Sequence, residues 1–234
     1  MKETKEIKIY NLIWYFIIFS ILGMAIETLY CYITTGVIES RKGLIWGPFC
    51  PVYGVGAVVL IYALNRYKKN WLLLFITGTI LGSVVEYILS FGLEAIYGIR
   101  FWEYSYIAEN LNGRICIPYS IFWGMLSILV IEIVKPLIDK IINLIPQYFG
   151  KKLEIALIIF LTLDTFCTIY AIEVCKNNIL LSDNEIETEN YIEKNLQNIG
   201  EQLFPTEKVL KTFPNLRVKN NGKEIFIRDL IENK

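Results

Sequence analysis

Long runs of apolar residues, separated by short polar stretches, make up the first three quarters of this chain. A helix needs about 20 apolar residues to cross a bilayer, and five runs reach or approach that length. They cover residues 10–33, 52–67, 71–97, 118–134 and 153–174. The first run is too long for a signal-peptide core and no small-residue cleavage site follows it, so we expect it to be retained. The pattern predicts an all-α polytopic membrane protein with about five transmembrane helices.

The composition changes after the fifth run. We therefore predict a transmembrane domain over residues 1–175 and a small polar module over 176–234. In this module, residues 184–203 have a helical pattern, and LRVKNNGKEIFI places Asn-Asn-Gly between two β-prone runs. Such a turn sequence predicts a β-hairpin. A lone hairpin is marginal in water, so we expect an α+β appendage that packs on the membrane domain.

Basic residues near the predicted helix ends set the orientation, because Lys and Arg are enriched in cytoplasmic loops. With a cytoplasmic N-terminus, ten of them lie inside: Lys2, Lys5, Lys8, Arg66, Lys68, Lys69, Lys135, Lys140, Lys151 and Lys152. The opposite loops carry four, namely Arg41, Lys42, Arg100 and Arg114. We expect a multi-pass membrane protein with a cytoplasmic N-terminus and with the C-terminal tail outside. The net charge is zero, so nothing suggests nucleic acid as a partner.

The chain contains two similar units. ILGMAIETLY (21–30) matches ILGSVVEYIL (80–89) at an offset of 59, which also matches Arg41 with Arg100. At an offset of 70, four more pairs match: Gly43 with Gly113, Ile45 with Ile115, Pro48 with Pro118, and Gly54 with Gly124. Membrane segments use few residue types, so chance is the alternative, but identical residues in one order favour a duplication. We predict parallel two-helix repeats over about 10–67 and 71–135, a kind of repeat that occurs among transporters.

Each unit carries one glutamate inside its first apolar run, Glu27 and Glu86. Gly23 lies one helical turn before Glu27, and Gly82 and Gly78 lie one and two turns before Glu86. Small residues at this spacing let helices pack closely in lipid. We expect the first and third helices to pack together with both carboxylates facing inward. A charge there is costly, so the pair predicts a central polar or ion site. The alternative is a structural role, with each acid hydrogen-bonded between helices or paired with Arg41 or Arg100.

A third acid, Asp164, lies near the middle of the last predicted helix and is a further candidate for the polar interior. An interhelical hydrogen bond is its structural alternative. Arg41, Arg100 and Arg114 are expected at the outer mouth of the site. The segment 47–57 packs prolines and glycines into a helix entrance, which suggests a broken or re-entrant start that lines a protein-buried cavity.

Three segments carry a family resemblance: GPFCPVYGVGA (47–57), FWEYS with LNGRICIPYSIFWG (101–105 and 111–124), and TFPNLRVKNNGKEIFIRDLI (212–231). Together they resemble the bacterial membrane family named putative ABC-transporter type IV, or putative ABC transporter permease. The resemblance implies a polytopic, permease-like protein of the bacterial cytoplasmic membrane and assigns no substrate or functional residues. The phosphate-cradling pattern G-x-x-x-x-G-K-[ST] is missing from the sequence, so ATP-driven transport would need a separate ATPase subunit.

Enzymatic chemistry has little support in the sequence. The chain has no histidine, which removes Ser-His-Asp and Cys-His catalysis and His-based zinc hydrolysis. We expect no enzyme activity, no cofactor and no metal site. The expected partners are the lipid bilayer and either a separate ATPase or a second copy of the chain. A non-transporting membrane scaffold or envelope-assembly factor is the competing function.

Overall fold

The structure is a computed structural model, and it describes residues 7–97, 100–183, 191–220 and 223–226. Within these ranges four helical stretches are long and apolar enough to cross a membrane: Ile9–Thr35, Trp71–Ile96, Ile117–Leu144 and Gln147–Ile179. Two of them are the helices α1 (Ile9–Thr35) and α3 (Trp71–Tyr97), whose bounds lie within two residues of the predicted ones. The prediction of a mainly helical membrane protein is confirmed at this level.

The second predicted crossing is shorter than expected. Helix α2 (Pro51–Leu64) has 14 residues and is followed by one 3-10 turn, Asn65–Tyr67. At 1.5 Å per residue, α2 is about 21 Å long, less than the hydrocarbon thickness of a bilayer. It packs against both α1 and α3 and buries Leu60, Ile61 and Leu64 in the main apolar core.

The segment 36–50 between α1 and α2 folds back into the body of the molecule. The Cys50 N–H donates to the carbonyl of Ser20, at 3.0 Å, and Ser20 lies near the midpoint of α1. Leu44 is buried against Ile17 and Leu161. The chain therefore descends along α1 without regular structure before α2 begins. Irregular backbone at this depth is tolerated where protein surrounds it.

The fourth predicted span continues beyond its predicted end at Val134. Helix α4 (Ile117–Leu129) passes through a π-helical segment, Val130–Val134, into α5 (Lys135–Leu144). A proline ring clashes with the carbonyl four residues earlier in an α-helix, and the wider π turn before Pro136 relieves that clash. Asp139 on α5 accepts hydrogen bonds from Tyr15 of α1 and from Lys135, which joins α5 to the bundle.

The last long helix, α6 (Gln147–Asp183), runs through residue 175 and links the membrane domain to the C-terminal module. The module contains α7 (Tyr191–Leu203), α8 (Thr206–Thr212) and the antiparallel strands β3 (Arg217–Asn220) and β4 (Lys223–Phe226). Val209, Phe213 and Leu216 pack on Ile172 and Cys175 of α6. The strands confirm the predicted hairpin. Residues 184–190 of the predicted helix 184–203 lie outside the described residues.

The two long loops and the C-terminal module lie at one end of the molecule, which we call the loop end. The second loop contains a short hairpin, β1 (Asn110–Leu111) and β2 (Ile115–Cys116), whose turn residues Asn112 and Gly113 both have positive φ. Arg100 forms an antiparallel bridge with Arg217 of the module. The opposite end, which we call the turn end, carries residues 65–70 and 145–146.

Candidate functional site

The acid of the first unit is held by a tyrosine of the neighbouring helix. The Tyr53 hydroxyl of α2 donates a hydrogen bond to Oε2 of Glu27 on α1. Gly23, one turn before Glu27, makes this approach possible, because a Cβ at Gly23 would overlap the Tyr53 ring. Glycine and glutamate thus act together, because Gly23 allows the Tyr53 ring to pack against α1 and Glu27 accepts the hydrogen bond of the Tyr53 hydroxyl.

The acid of the second unit has a closely similar environment. Glu86 on α3 is 8% exposed, and Nε1 of Trp123 on α4 donates to its Oε2 at 2.9 Å. A Cβ at Gly82 would overlap the Trp123 ring. The hydroxyl of Tyr104, from the loop between α3 and α4, donates to the other carboxylate oxygen, also at 2.9 Å. Both oxygens of Glu86 are therefore satisfied by aromatic donors.

The contacts of the two units correspond at the two offsets found in the sequence. An offset of 59 relates Gly23 and Glu27 to Gly82 and Glu86, and an offset of 70 relates Tyr53 to Trp123. A second set of contacts corresponds in the same way: Gly54 lies on Phe16 and Ser20, and Gly124 lies on Phe75 and Thr79. In both units the hydroxyl of that Ser or Thr donates to the carbonyl four residues earlier. Each unit is thus a helix pair built from the same contacts.

The glycines have a different partner from the predicted one. Gly23 contacts α2, while Gly78 and Gly82 contact Ser127 and Trp123 of α4. They bring together the two helices within a unit, whereas the sequence had suggested packing between the first and third helices. The physical reason lies in α2, which packs on both α1 and α3.

Each of the two acids has a tyrosine donor. Tyr53 donates to Glu27 and Tyr104 donates to Glu86, and the two tyrosines are near enough to influence each other electrostatically. The Tyr104 ring stacks on Tyr119 with ring centroids 4.8 Å apart. Burial, and then the nearby charge of Glu86, raise the pKa of Tyr104, so this hydroxyl keeps its proton and remains a donor. The sequence pattern did not identify Tyr53, Tyr104 and Trp123 as partners of the acids, although the offset of 70 relates Tyr53 to Trp123.

The three arginines lie at the loop end, where their contacts in the described part of the chain include acids other than Glu27 and Glu86. Arg100 and Arg114 converge on Glu94, with N···O distances of 2.7 and 2.5 Å. Arg114 also donates to Ser90 at 3.1 Å, and Arg41 donates to the Cys31 sulfur at 2.9 Å. Because Cys31 and Ser90 correspond at the offset of 59, the contact of Arg41 corresponds to that of Arg114. The sequence had matched Arg41 with Arg100.

The third candidate acid, Asp164, lies elsewhere in the bundle. It is fully buried on α6, where its Oδ1 accepts the backbone N–H of Trp46, at 3.2 Å, and the hydroxyl of Thr168, at 3.4 Å. Its contacts are thus with the descending segment between α1 and α2. Within the described ranges, no group of three or more Cys, Asp or Glu is placed to hold a metal ion.

Comparison with known proteins supports the family resemblance. The model of the family described as "Putative ABC-transporter type IV" matches residues 14–169, which is more than half of the chain. The chain belongs to this family. The match contains both units, Glu27, Glu86 and Asp164, and it ends before the tail segment 212–231. No curated protein and no solved structure matches the chain.

Proposed function

We propose that this protein is a permease-like transport subunit whose central polar site contains Glu27 and Glu86. The observation that carries the proposal is a pair of acids inside apolar helices, half-buried Glu27 and buried Glu86, each of which accepts a hydrogen bond from a tyrosine. Ionisable groups within a membrane-spanning bundle are costly and mark substrate or ion pathways. The family to which the chain belongs supports the same class of function.

In this proposal the chain crosses the membrane five times, and the second crossing consists of the descending segment 43–50 followed by α2. The hydrogen bond from Cys50 to the middle of α1 supports it, because α2 then needs to cover only the remaining depth. The corresponding contacts of the two helix pairs support a parallel internal repeat. The excess of Lys and Arg at the turn end favours a cytoplasmic N-terminus and an extracytoplasmic module in a bacterial cytoplasmic membrane.

The energy source in the proposal is a separate ATPase, since the sequence has no P-loop pattern. The turn end supplies a surface for it. On α5 the apolar side chains of Leu137, Ile141 and Leu144 are 53%, 53% and 82% exposed. They lie on one side of a helix whose other side, with Ile138 and Ile142, is buried in the main core. A second copy of the chain is the other partner class that we propose.

Purification from the native membrane in mild detergent tests the partner. We expect a P-loop ATPase in stoichiometric amount, and we expect Leu137→Asp with Ile141→Asp to remove it. Leu111→Asp is the matched control, because Leu111 is 54% exposed but lies at the loop end. If the turn-end variant retains the ATPase, or if none co-purifies with the wild-type chain, the ATP-driven form of the proposal fails.

A structural role for the acids is the second candidate, and the full hydrogen-bonding of Glu86 favours it. A non-transporting scaffold or envelope-assembly factor would use Glu27 and Glu86 only to join helices. The double variant Glu27→Gln with Glu86→Gln separates the two functions. A permease predicts a folded variant whose transport-coupled ATPase activity is lost, whereas a scaffold predicts loss of thermal stability or of bound partners.

A further inference from the structure

Asp164 differs from the other buried acids in how its carboxyl group is satisfied. Its side chain has no exposed surface. Oδ1 accepts two hydrogen bonds, from Trp46 N–H and from Thr168, but Oδ2 is buried with no hydrogen-bond partner in the described part of the chain. Glu86 provides the contrast, because each of its oxygens accepts one donor.

The surroundings of Asp164 are also poorly suited to a charge. The neighbouring part of α1 faces α6 with apolar side chains, among them Phe16, Ile17 and Ile21. Among the described residues, Lys42, on the segment that descends between α1 and α2, is a charged group near enough to act on the carboxyl. The hydroxyl of Thr168, which donates to Asp164, also accepts a hydrogen bond from the N–H of Ile45 at 3.0 Å.

These contacts indicate which form of the acid the site can hold. Burying an ionised carboxylate with one unpaired oxygen costs far more than burying a neutral carboxylic acid with one unpaired hydroxyl. Two donors on Oδ1 fit the carbonyl oxygen of a protonated acid, which has two lone pairs to accept them. The remaining oxygen, Oδ2, is then the one that carries the proton.

We propose that Asp164 is a proton-binding site, in which Oδ2 is protonated while the segment 43–48 lies against α6. Loss of this proton leaves a charge at the contact with Ile45 and Trp46, and Lys42 is the group that can compensate it. Protonation of Asp164 is thereby coupled to the position of the descending segment. Protonation of this one carboxyl group does not depend on whether the protein transports a substrate.

Selective labelling of aspartate carboxyl carbons with carbon-13 tests the proposal in lipid membranes by solid-state NMR. The chain has four aspartates, Asp139, Asp164, Asp183 and Asp229, so the carboxyl region of the spectrum is simple. Asp139 is ion-paired with Lys135 at 2.7 Å and provides an internal reference for the ionised form. At about pH 7 we expect one of the four signals at the position of a protonated acid.

Three control variants, Asp139→Asn, Asp183→Asn and Asp229→Asn, should each keep the protonated signal, and Asp164→Asn should remove it. If Asp164→Asn does not fold, the three controls assign the signal by elimination. The proposal is overturned if all four carboxyl groups are ionised at about pH 7. It is equally overturned if the protonated signal disappears in one of the three control variants.

Discussion

At the scale of single residues, each central acid depends on a glycine one turn away. The close approach of Tyr53 to Gly23 and of Trp123 to Gly82 places an aromatic donor against a carboxylate within an apolar helix pair. Any side chain at the glycine would push the ring away and leave the acid without its donor. The position of the glycine therefore decides whether the acid can be accommodated.

Gly82→Ala should lower the stability of the protein, because the added Cβ overlaps the Trp123 ring. Overpacking of this kind costs about 1 to 3 kcal/mol. Gly92→Ala on the same helix is the matched control, since a Cβ there meets no atom within 4 Å. Thermal unfolding of both variants in detergent measures the difference. Equal melting temperatures for the two variants would show that the Gly82 contact is not tight.

Tyr104→Phe should also destabilise the protein, because it leaves one oxygen of buried Glu86 without a donor while the ring can still stack on Tyr119. Loss of a hydrogen bond to a charged group costs about 1.5 to 3 kcal/mol. Tyr106→Phe is the control in the same loop, where the side chain is 73% exposed. The comparison uses the same unfolding measurement, and a smaller loss for Tyr104→Phe than for Tyr106→Phe would contradict the assignment.

Sequence patterns identify the acids at this scale but not their partners. Glu27 and Glu86 are conspicuous because charge is rare in apolar runs. Which aromatic side chain faces them depends on helix rotation, and many aromatic residues were available. The arginines are a second case in which partners could not be predicted. The offset of 59 matches Arg41 with Arg100, whereas equivalent contacts are made by Arg41 and Arg114.

At the scale of secondary-structure elements, the long helices follow directly from the length of the apolar runs. The prediction fails where the backbone geometry cannot be inferred from the hydrophobicity of the residues. The fourth predicted span ended at Val134, before Pro136, but the π segment lets the helix continue into α5. The sequence 43–50 has apolar residues without a helical period. Its descent is therefore visible only through its hydrogen bonds to Ser20, Asp164 and Thr168.

The descending segment makes a prediction about thiol chemistry. Cys50 is 9% exposed, and a maleimide must reach the thiol before it can react. We expect Cys50 to resist maleimide in native membranes at about pH 8 and to react only after unfolding. A cysteine at Val37, which is 57% exposed on the same connection, should react quickly. Peptide mass spectrometry compares the two sites, and similar rates would contradict the buried position.

At the scale of the whole molecule, both long loops and the C-terminal module share the loop end. The bridge between Arg100 and Arg217 and the ion pair between Arg217 and Glu103, at 3.6 Å, fix the module to the second loop. Sequence patterns predicted the hairpin and its packing on the membrane domain. They did not predict that α6 would continue unbroken into the module, because the polar residues after 175 resemble a domain boundary.

Topology can be tested with three single cysteines, Val37→Cys, Lys68→Cys and Lys208→Cys, and an impermeant maleimide applied to intact cells. Five crossings with an inner N-terminus predict that positions 37 and 208 are labelled and that position 68 is not. Labelling of position 68 alone would show that the orientation is the reverse, with the N-terminus outside. Labelling of both 37 and 68 would show that α2 does not complete a crossing.

The short α2 also has a consequence for biogenesis. A 14-residue helix is too short to be recognised as a stable membrane segment when it leaves the ribosome, and the irregular chain before it has backbone groups that lipid cannot satisfy. In the five-crossing arrangement that we propose, this part of the chain can enter the bilayer only when α1 and α6 are present to receive its N–H groups. Because α6 follows the other membrane helices in the chain, the proposed second crossing would remain incompletely enclosed until α6 has been made.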